Sequence, residues 1–347
     1  MNPNETSTVA EDRTAFGSFD LGLPDPTAAP AAGGRTRITR LGVIGAGTMG
    51  SGIAALAASA GIPVVLLDVP AEGADRSAIA RGAVERAVKG KPAPFMHPAR
   101  ARLITTGNID DHLALLADCD LVTEAIIEQP GPKQALYEKL EGVVKPTAIV
   151  SSNTSGIPMA VLLEGRSPRF RQRFLGTHFF APPRYMHLLE IIPTPETDPG
   201  VVDAVRAFGE RVLGKGIVTC KDAPGFIANR LGVHGMVATL RAKDRHGLTI
   251  DEVDALTGPL LGRPKSATFR TADLSGVDVI KHVSAGLAES TGEDFTLPAW
   301  VHRMVDEKKL GDKTGGGFYK KVGKDIMTFD REKNDYAPQR KIETPVL

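Results

Sequence analysis

The sequence predicts an α/β fold: a doubly wound, mainly parallel sheet followed by a smaller all-α domain. Two observations support this prediction. Strand-like apolar runs alternate with helical segments up to about residue 220, which is typical of parallel sheets built from βαβ units. Beyond that point the strand signals fade and helical periodicity dominates. We therefore expect a sheet domain over residues 35–221 and a helical domain over residues 222–321.

Composition narrows the class of protein. The chain of 347 residues carries 42 Lys and Arg against 41 Asp and Glu, a balance that indicates neither a nucleic acid nor a membrane surface as partner. The apolar run from Ile53 is interrupted at residues 61–63, too early to span a bilayer. The two cysteines, Cys119 and Cys220, match no metal-binding spacing. We expect a soluble, cytoplasmic protein without a metal site.

The two ends of the chain have little pattern. Residues 1–34 are rich in Asn, Thr, Ser, Pro, Gly and Ala, as in a disordered N-terminal tail, and they lack the basic start and apolar core of a secretion signal. Residues 322–347 are polar and weakly patterned. We interpret them as a linker-like C-terminal tail.

The first strand begins at Ile38 and leads into a glycine-rich turn and a helix over residues 48–60. The turn reads Gly45-Ala46-Gly47-Thr48-Met49-Gly50. This order is typical of a Rossmann-type dinucleotide-binding unit. Gly45 would permit the turn, Gly47 would let the backbone approach a pyrophosphate, and Gly50 would let the helix pack on its strand.

The second strand, residues 63–68, ends in Asp68. A carboxylate at this position holds the ribose diol of the adenosine and would repel the additional phosphate of NADP. The sequence therefore predicts that the cofactor is NAD.

The other elements follow in chain order. In the first domain we predict helices at residues 74–89, 132–144 and 198–213, and strands at residues 120–127, 147–151, 175–180, 188–192 and 217–220. A Pro182-Pro183 corner joins the strands 175–180 and 188–192. In the second domain we predict helices at residues 226–243, 249–256 and 272–290, whose amphipathic faces suit a dimer interface and one wall of a cleft.

A candidate catalytic pair lies on the strands that this corner joins. An enzyme that oxidises an alcohol needs a base for the hydroxyl proton, and imidazole suits neutral pH. His178 is near the end of one strand, and Glu190 interrupts an apolar run on the other. A carboxylate in such a run is costly unless it is paired. Neighbouring strands could bring Glu190 to His178, although a core histidine beside an unrelated glutamate would give the same pattern.

Five strings, in order, resemble the signatures of the L-3-hydroxyacyl-CoA dehydrogenase family, over about residues 38–320. They are Ser151-Ser152-Asn153-Thr154-Ser155, Gly176-Thr177-His178-Phe179-Phe180-Ala181-Pro182, Met186 to Glu190, Lys221-Asp222-Ala223-Pro224-Gly225-Phe226-Ile227-Ala228-Asn229-Arg230 and Lys313-Thr314-Gly315-Gly316-Gly317-Phe318-Tyr319. The variants Pro183-Arg184-Tyr185 and Gly262 to Thr268 most resemble the bacterial branch fused to an enoyl-CoA hydratase domain.

This resemblance implies reversible, NAD-dependent oxidation of a (3S)-hydroxyacyl-CoA to the 3-ketoacyl-CoA, as in fatty-acid β-oxidation. It implies that His178 is the base, that Glu190 orients it, and that Ser155 and Asn229 hold the reacting oxygen. The positions implied to contact the cofactor or the coenzyme A phosphates are Glu128, Lys133, Lys313, Lys89 and Lys91. It also implies a homodimer through the helical domain, working with an enoyl-CoA hydratase and a thiolase.

The chain departs from the family at Ala181, where relatives usually carry Asn. Loss of a buried polar partner there would cost about 1–3 kcal/mol. Two other functions stay open at this point: a dehydrogenase of a free hydroxy acid or sugar acid, and a catalytically weak NAD-binding partner subunit. The preferred acyl-chain length depends on the shape of a groove that the sequence does not reveal.

Overall fold

The computed structural model describes residues 37–342, so the tail predicted for residues 1–34 lies outside the described residues. A large sheet flanked by helices is followed by a mainly helical region, which confirms the predicted fold class. Between residues 37 and 342, no helix has the length and apolar character needed to cross a membrane. The domain limits at 35–221 and 222–321 stay predictions.

The large sheet has eight strands. They are β1 (Leu41–Ile44), β2 (Val64–Asp68), β3 (Ile104–Asn108), β4 (Leu121–Glu124), β5 (Ile149–Ser152), β6 (Phe174–Phe179), β7 (Leu188–Pro193) and β8 (Gly216–Thr219). Their spatial order is β3-β2-β1-β4-β5-β6-β7-β8. The first six strands in this order are parallel to one another. The order changes direction between β1 and β4, the kind of crevice in which doubly wound sheets bind ligands. β7 is antiparallel to β6 because the proline corner reverses the chain.

Helices cover both faces of this sheet. They are α1 (Thr48–Ser59), α2 (Ala78–Lys89), α3 (Pro130–Val143), α4 (Met159–Leu162), α5 (Pro168–Gln172) and α6 (Pro199–Arg211). α1 is almost entirely buried, because its Ala and Gly residues allow close packing against the strands. α6 begins after Asp198, whose carboxylate accepts a hydrogen bond from the N–H of Gly200 at 2.7 Å.

The second region, as far as it is described to residue 342, has five α-helices. They are α7 (Ala228–His246), α8 (Ile250–Thr257), α9 (Phe269–Ser275), α10 (Val277–Thr291) and α11 (Ala299–Asp306). The predicted helix 272–290 is in fact two helices. Gly276 separates α9 from α10 with φ of 101°, a conformation outside the helical region that glycine adopts readily.

The predicted linker-like tail at residues 322–347 is wrong for the part that the structure describes. A small antiparallel sheet is formed by β9 (Tyr319–Val322), β10 (Asp325–Asp330) and β11 (Asp335–Pro338). Phe329 is buried against the ring of Trp300, with centroids 6.3 Å apart, and Thr328 donates to the Asp251 carboxylate at 2.7 Å. Much of the sheet is exposed, so its sequence is polar and its apolar pattern is weak.

Candidate functional site

The glycine turn between β1 and α1 is closely packed on one side and open on the other. Gly45 has φ of 99°, and a Cβ there would lie 2.4 Å from the carbonyl oxygen of Ala125. A Cβ on Gly50 would lie 1.7 Å from the carbonyl oxygen of Gly45. By contrast, a Cβ on Gly47 would have no neighbour within 4 Å. The N-terminus of α1 therefore faces free space at Gly47, where an anion could approach the N–H groups.

Asp68 lies beside this turn. One of its carboxylate oxygens accepts a hydrogen bond from the N–H of Ala46, and the other accepts one from the N–H of Val69 at 2.7 Å. A cavity of about 470 Å³ opens next to it, lined mostly by apolar side chains. The lining residues include Gly45, Gly47, Asp68, Val69, Ile109 and Ile127. This geometry suits an adenosine, with apolar walls for the ring and a carboxylate for the ribose hydroxyls.

A buried ion pair between Glu124 and Lys133 joins the end of β4 to α3. Glu124, at the end of β4, is fully buried and accepts hydrogen bonds from Lys133 at 2.6 Å, Tyr137 at 2.5 Å and Ser152 at 2.7 Å. The N–H of Ile126 also donates to it at 2.8 Å. Burial, followed by the nearby Glu124 charge, raises the pKa of the Tyr137 phenol well above its ordinary value. Lys133 is thus held inside the protein.

Glu128 connects this pair to the loop after β5. One of its carboxylate oxygens lies 3.3 Å from the Lys133 ammonium. The other accepts hydrogen bonds from the Thr154 hydroxyl and from the N–H of Ser155, both at 2.6 Å. The predicted cofactor residues Glu128 and Lys133 therefore contact each other and the serine loop.

His178 and Glu190 are direct partners in the β6–β7 register. The His178 Nδ1 lies 2.7 Å from one Glu190 oxygen, and both side chains are buried. The rings of Phe180 and Phe226 flank the imidazole, at centroid distances of 4.5 and 5.6 Å. The carboxylate therefore fixes the ring through Nδ1 and leaves Nε2 for another partner.

The second oxygen of Glu190 binds the start of α7. It accepts hydrogen bonds from the N–H of Ile227 at 3.1 Å and of Ala228 at 2.8 Å. Burial disfavours the charged carboxylate, but the bonds from His178 and from these two N–H groups outweigh it and hold the pKa of Glu190 below its ordinary value. Burial, with the neighbouring Glu190 charge, raises the pKa of the Cys220 thiol to about 12.

Ser155, in the loop after β5, and Asn229, in the first turn of α7, are in contact. The Asn229 amide donates to the carbonyl oxygen of Ser155 at 3.4 Å. Asn153, in the same loop, accepts a hydrogen bond from the N–H of Phe179 at 2.9 Å, next to His178 in the chain. The structure thus brings the serine loop, the imidazole strand and the start of α7 together.

Three predicted residues lie elsewhere. Lys313 forms an ion pair with Asp278 at 2.5 Å, within the helical region. Lys89 and Lys91 are exposed at the end of α2 and in the loop that follows it.

Ala181 is exposed, in the corner that follows β6. Among residues 37–342, the buried polar side-chain atoms that lack a partner include the Nε atoms of Arg40 and Arg166. Arg40 is bonded to Asp120, just before β4, and Arg166 is bonded to Glu141 in α3, so neither atom marks a side chain that has lost its partner at Ala181.

Sequence reasoning missed Glu124. The signal was present, because this carboxylate also interrupts an apolar run, Leu121 to Ile127, as Glu190 does in its own strand. The same cost of burying an unpaired charge would have identified it.

Comparison with known proteins identifies the family of this chain. Residues 40–223 match the family model described as "3-hydroxyacyl-CoA dehydrogenase, NAD binding domain", and residues 225–321 match "3-hydroxyacyl-CoA dehydrogenase, C-terminal domain". Together the two models cover most of the chain.

Individual relatives give the same result. A probable 3-hydroxyacyl-CoA dehydrogenase of Deinococcus radiodurans is 56% identical over 289 residues, which cover 82% of this chain and 84% of that protein. A probable 3-hydroxyacyl-CoA dehydrogenase of Bacillus subtilis is 42% identical, over 89% of this chain but only 42% of that protein. The crystal structure of FadB2 from M. tuberculosis superposes with a TM-score of 0.71 at 34% identity, over 82% of this chain and 100% of that one.

Proposed function

Because this chain belongs to the 3-hydroxyacyl-CoA dehydrogenase family, an enzyme family with an NAD-binding domain, we propose that it oxidises (3S)-hydroxyacyl-CoA thioesters through His178 and Glu190. The observation that carries this proposal is the 2.7 Å contact between His178 and Glu190. The start of α7, which binds the same carboxylate, carries Asn229, whose amide donates to the carbonyl oxygen of Ser155. The residues present fit NAD, since a Cβ on Gly47 would point into free space and Asp68 borders the apolar cavity.

The histidine acts as the general base. Its Nδ1 is occupied by the carboxylate, so Nε2 takes the proton of the substrate hydroxyl. Glu190 then stabilises the imidazolium that forms, because it is ionised and only 2.7 Å away. A bound NAD, held by the turn at Gly47 and by Asp68, would supply the acceptor for the hydride from C3 of the substrate.

Ser155 and Asn229 hold the reacting oxygen in this proposal. The serine hydroxyl and the asparagine amide both donate hydrogen bonds, and a donor aimed at a developing negative charge lowers the barrier. They come from different parts of the chain, since Ser155 follows β5 and Asn229 is in α7. Closure of the helical domain over the sheet domain would exclude water and complete the site.

The first test is turnover. The purified protein should produce NADH from (3S)-hydroxybutyryl-CoA or from a longer homologue. His178→Gln should lower turnover by about 10²- to 10⁴-fold, because a positioned proton acceptor contributes that much. Unchanged turnover in this variant would remove His178 from the mechanism.

The same assay separates the other functions considered for the sequence. Oxidation of a free hydroxy acid that coenzyme A does not inhibit would favour a dehydrogenase without thioester specificity. Tight binding of NAD with no turnover of any hydroxyacyl-CoA would favour a partner subunit. A panel of short-, medium- and long-chain thioesters would define the preferred acyl length. Dimer formation through the helical domain, and cooperation with a hydratase and a thiolase, also remain proposals.

A further inference from the structure

The corner between β6 and β7 reaches across to the loop after α2. The guanidinium of Arg184 donates hydrogen bonds to the carbonyl oxygens of Ala93 and Phe95, each at 2.7 Å. The hydroxyl of the neighbouring Tyr185 donates to the carbonyl oxygen of Ala93 at 3.1 Å. The corner that leaves the imidazole strand is therefore bonded to the loop that contains Lys91.

The corner itself is held firmly. The ammonium of Lys215, a buried residue, donates to the carbonyl oxygens of Pro183 and Met186, the latter at 2.6 Å. The Pro183 ring packs on α1 at Gly52, where a Cβ would lie only 2.8 Å away. Arg184 thus projects from a rigid part of the molecule, six positions after His178 in the chain.

The end of the loop farther from α2, residues 95–96, is held by contacts of its own. Phe95 is buried in the core that contains α1, and the N–H of Met96 donates to the Ser59 hydroxyl at 3.0 Å. The segment that depends on Arg184 and Tyr185 is therefore the near end, residues 91–93. Only Gly90 separates this near end from Lys89, the last residue of α2.

Three cations lie near this contact without acidic partners, because Lys91 and Lys89 precede Ala93, the residue bonded to Arg184, by two and four positions. In the part of the chain that the structure describes, no carboxylate forms an ion pair with Lys89, Lys91 or Arg184. The Arg184 hydrogen bonds are to neutral carbonyl groups, so its charge is not compensated. Such a group of cations suits a ligand with several phosphates.

We propose that Arg184 is a positioning residue that holds the segment 89–93 at a fixed distance from His178 and so selects substrates that carry the phosphorylated nucleotide of coenzyme A. This inference rests on the proposed function. The base and the cationic segment share one rigid connection, the corner. A thioester whose phosphates bind at Lys89 and Lys91 then presents its hydroxyl at a set distance from the imidazole.

The test compares two thioesters of (S)-3-hydroxybutyrate, one with coenzyme A and one with N-acetylcysteamine, which lacks the nucleotide. Arg184→Met should raise the KM for the coenzyme A thioester about tenfold. Its kcat/KM for the N-acetylcysteamine thioester should stay within about twofold of the wild type. Binding of coenzyme A alone, measured by calorimetry, should weaken about tenfold, and Tyr185→Phe should cause a smaller change in the same direction.

Arg173→Met is the matched control. Arg173 also donates to main-chain carbonyl oxygens, those of Ala148 and Thr147, but it precedes β6 at the end away from His178. This variant should leave both KM values unchanged. Equal losses for both thioesters in Arg184→Met, or no loss for either, would overturn the inference. If the wild-type protein oxidises neither thioester, the proposed function itself fails, whereas normal turnover with an unselective Arg184→Met refutes only this proposal.

Discussion

Two glycines of the β1–α1 turn serve different ends although they are only two positions apart. Gly45 is needed by the fold, since a Cβ there would clash with the Ala125 carbonyl oxygen at 2.4 Å. The fold does not require glycine at position 47, because a Cβ there would meet no atom within 4 Å. A side chain at Gly47 would instead occupy the space in front of the α1 N-terminus, where the cofactor's pyrophosphate is proposed to bind.

Alanine substitutions should separate these roles. Gly47→Ala should change the free energy of unfolding by less than about 0.5 kcal/mol, as for a surface substitution, and weaken NAD binding by about tenfold or more. Gly45→Ala should unfold more easily, by about 1–3 kcal/mol, because its backbone conformation is unfavourable for alanine. The measurements are urea unfolding and fluorescence titration with NADH.

Gly232→Ala is the control for both, because it lies in α7 and its Cβ would meet nothing within 4 Å. It should keep wild-type NAD affinity. Normal NAD affinity in Gly47→Ala would place the pyrophosphate elsewhere.

Single residues were predictable where burial makes a charge costly. The pairing of His178 with Glu190 follows from a carboxylate in an apolar strand and from the corner that folds one strand onto the next. The Arg184 contact was not predictable in this way, because its partners are carbonyl oxygens about 90 residues earlier in the chain. Main-chain acceptors have no signature in the sequence.

At the scale of elements, the small sheet of β9, β10 and β11 contributes to the hydrophobic core of the helical region. Phe329 in β10 lies between the rings of Trp300 and Tyr336, at centroid distances of 6.3 and 5.8 Å. The Lys309 ammonium lies 5.0 Å from the centre of the same ring. The strand is thus part of the folded unit even though most of its neighbours in sequence are polar.

Phe329→Ala should lower the free energy of unfolding by about 3–5 kcal/mol, because it removes a buried aromatic ring and leaves a cavity. Ile326→Ala, in the same strand but half exposed, should cost far less. Thermal or urea unfolding measures both. A loss below about 1 kcal/mol for Phe329→Ala would mean that the small sheet is only loosely attached.

Strong hydrophobic periodicity predicted most of the large sheet and its helices. The elements that were not predicted have weak hydrophobic periodicity. β3 was missed because Ile104–Asn108 is an edge strand with polar residues and only partial burial. α9 and α10 were merged because both share an apolar stripe and only the conformation of Gly276 separates them. The small sheet depends on long-range partners, such as Asp251 for Thr328, which local pattern does not show.

For the whole molecule, Glu190 is the carboxylate that joins the two regions at the site. One of its oxygens binds the imidazole on β6, and the other binds two N–H groups at the start of α7. The orientation of the base and the position of the helical region are therefore coupled through one side chain.

Two substitutions separate these contributions. In Glu190→Gln the amide oxygen can still accept from α7, but the amide nitrogen faces His178 and favours the wrong tautomer, so turnover should fall about 10²- to 10⁴-fold. Glu190→Ala should lose this activity as well and also be less stable than Glu190→Gln by about 2 kcal/mol, since two N–H groups lose their acceptor. Turnover assays and urea unfolding check both. Equal stability of the two variants would refute the coupling.

The same carboxylate gives stability a defined dependence on pH. The pKa of Glu190 is lower in the folded state than its ordinary value of 4.5, so the folded protein binds this proton less readily than the unfolded chain. Its stabilising contribution is complete above that ordinary value and is lost as the pH falls through the lower, folded-state pKa. The difference in unfolding free energy between wild type and Glu190→Gln should therefore shrink as the pH falls below about 5.

Both cysteines are buried, and burial raises the pKa of the thiol to about 11 at Cys119 and about 12 at Cys220. The native protein should therefore react only slowly with Ellman's reagent at neutral pH, whereas two thiols should react at once after denaturation in urea. Rapid reaction of the native protein would show that one of the two sites opens frequently.

This shielding matters for an enzyme that handles thioesters. Hydrolysis of acyl-CoA releases free coenzyme A, and accessible protein thiolates attack its oxidised dimer to form mixed disulfides. A thiol that is buried and protonated at physiological pH offers almost no thiolate for that exchange. The protein should therefore stay unmodified when part of the coenzyme A pool is oxidised to its disulfide. It should keep its activity under oxidative stress that inactivates enzymes with exposed cysteines.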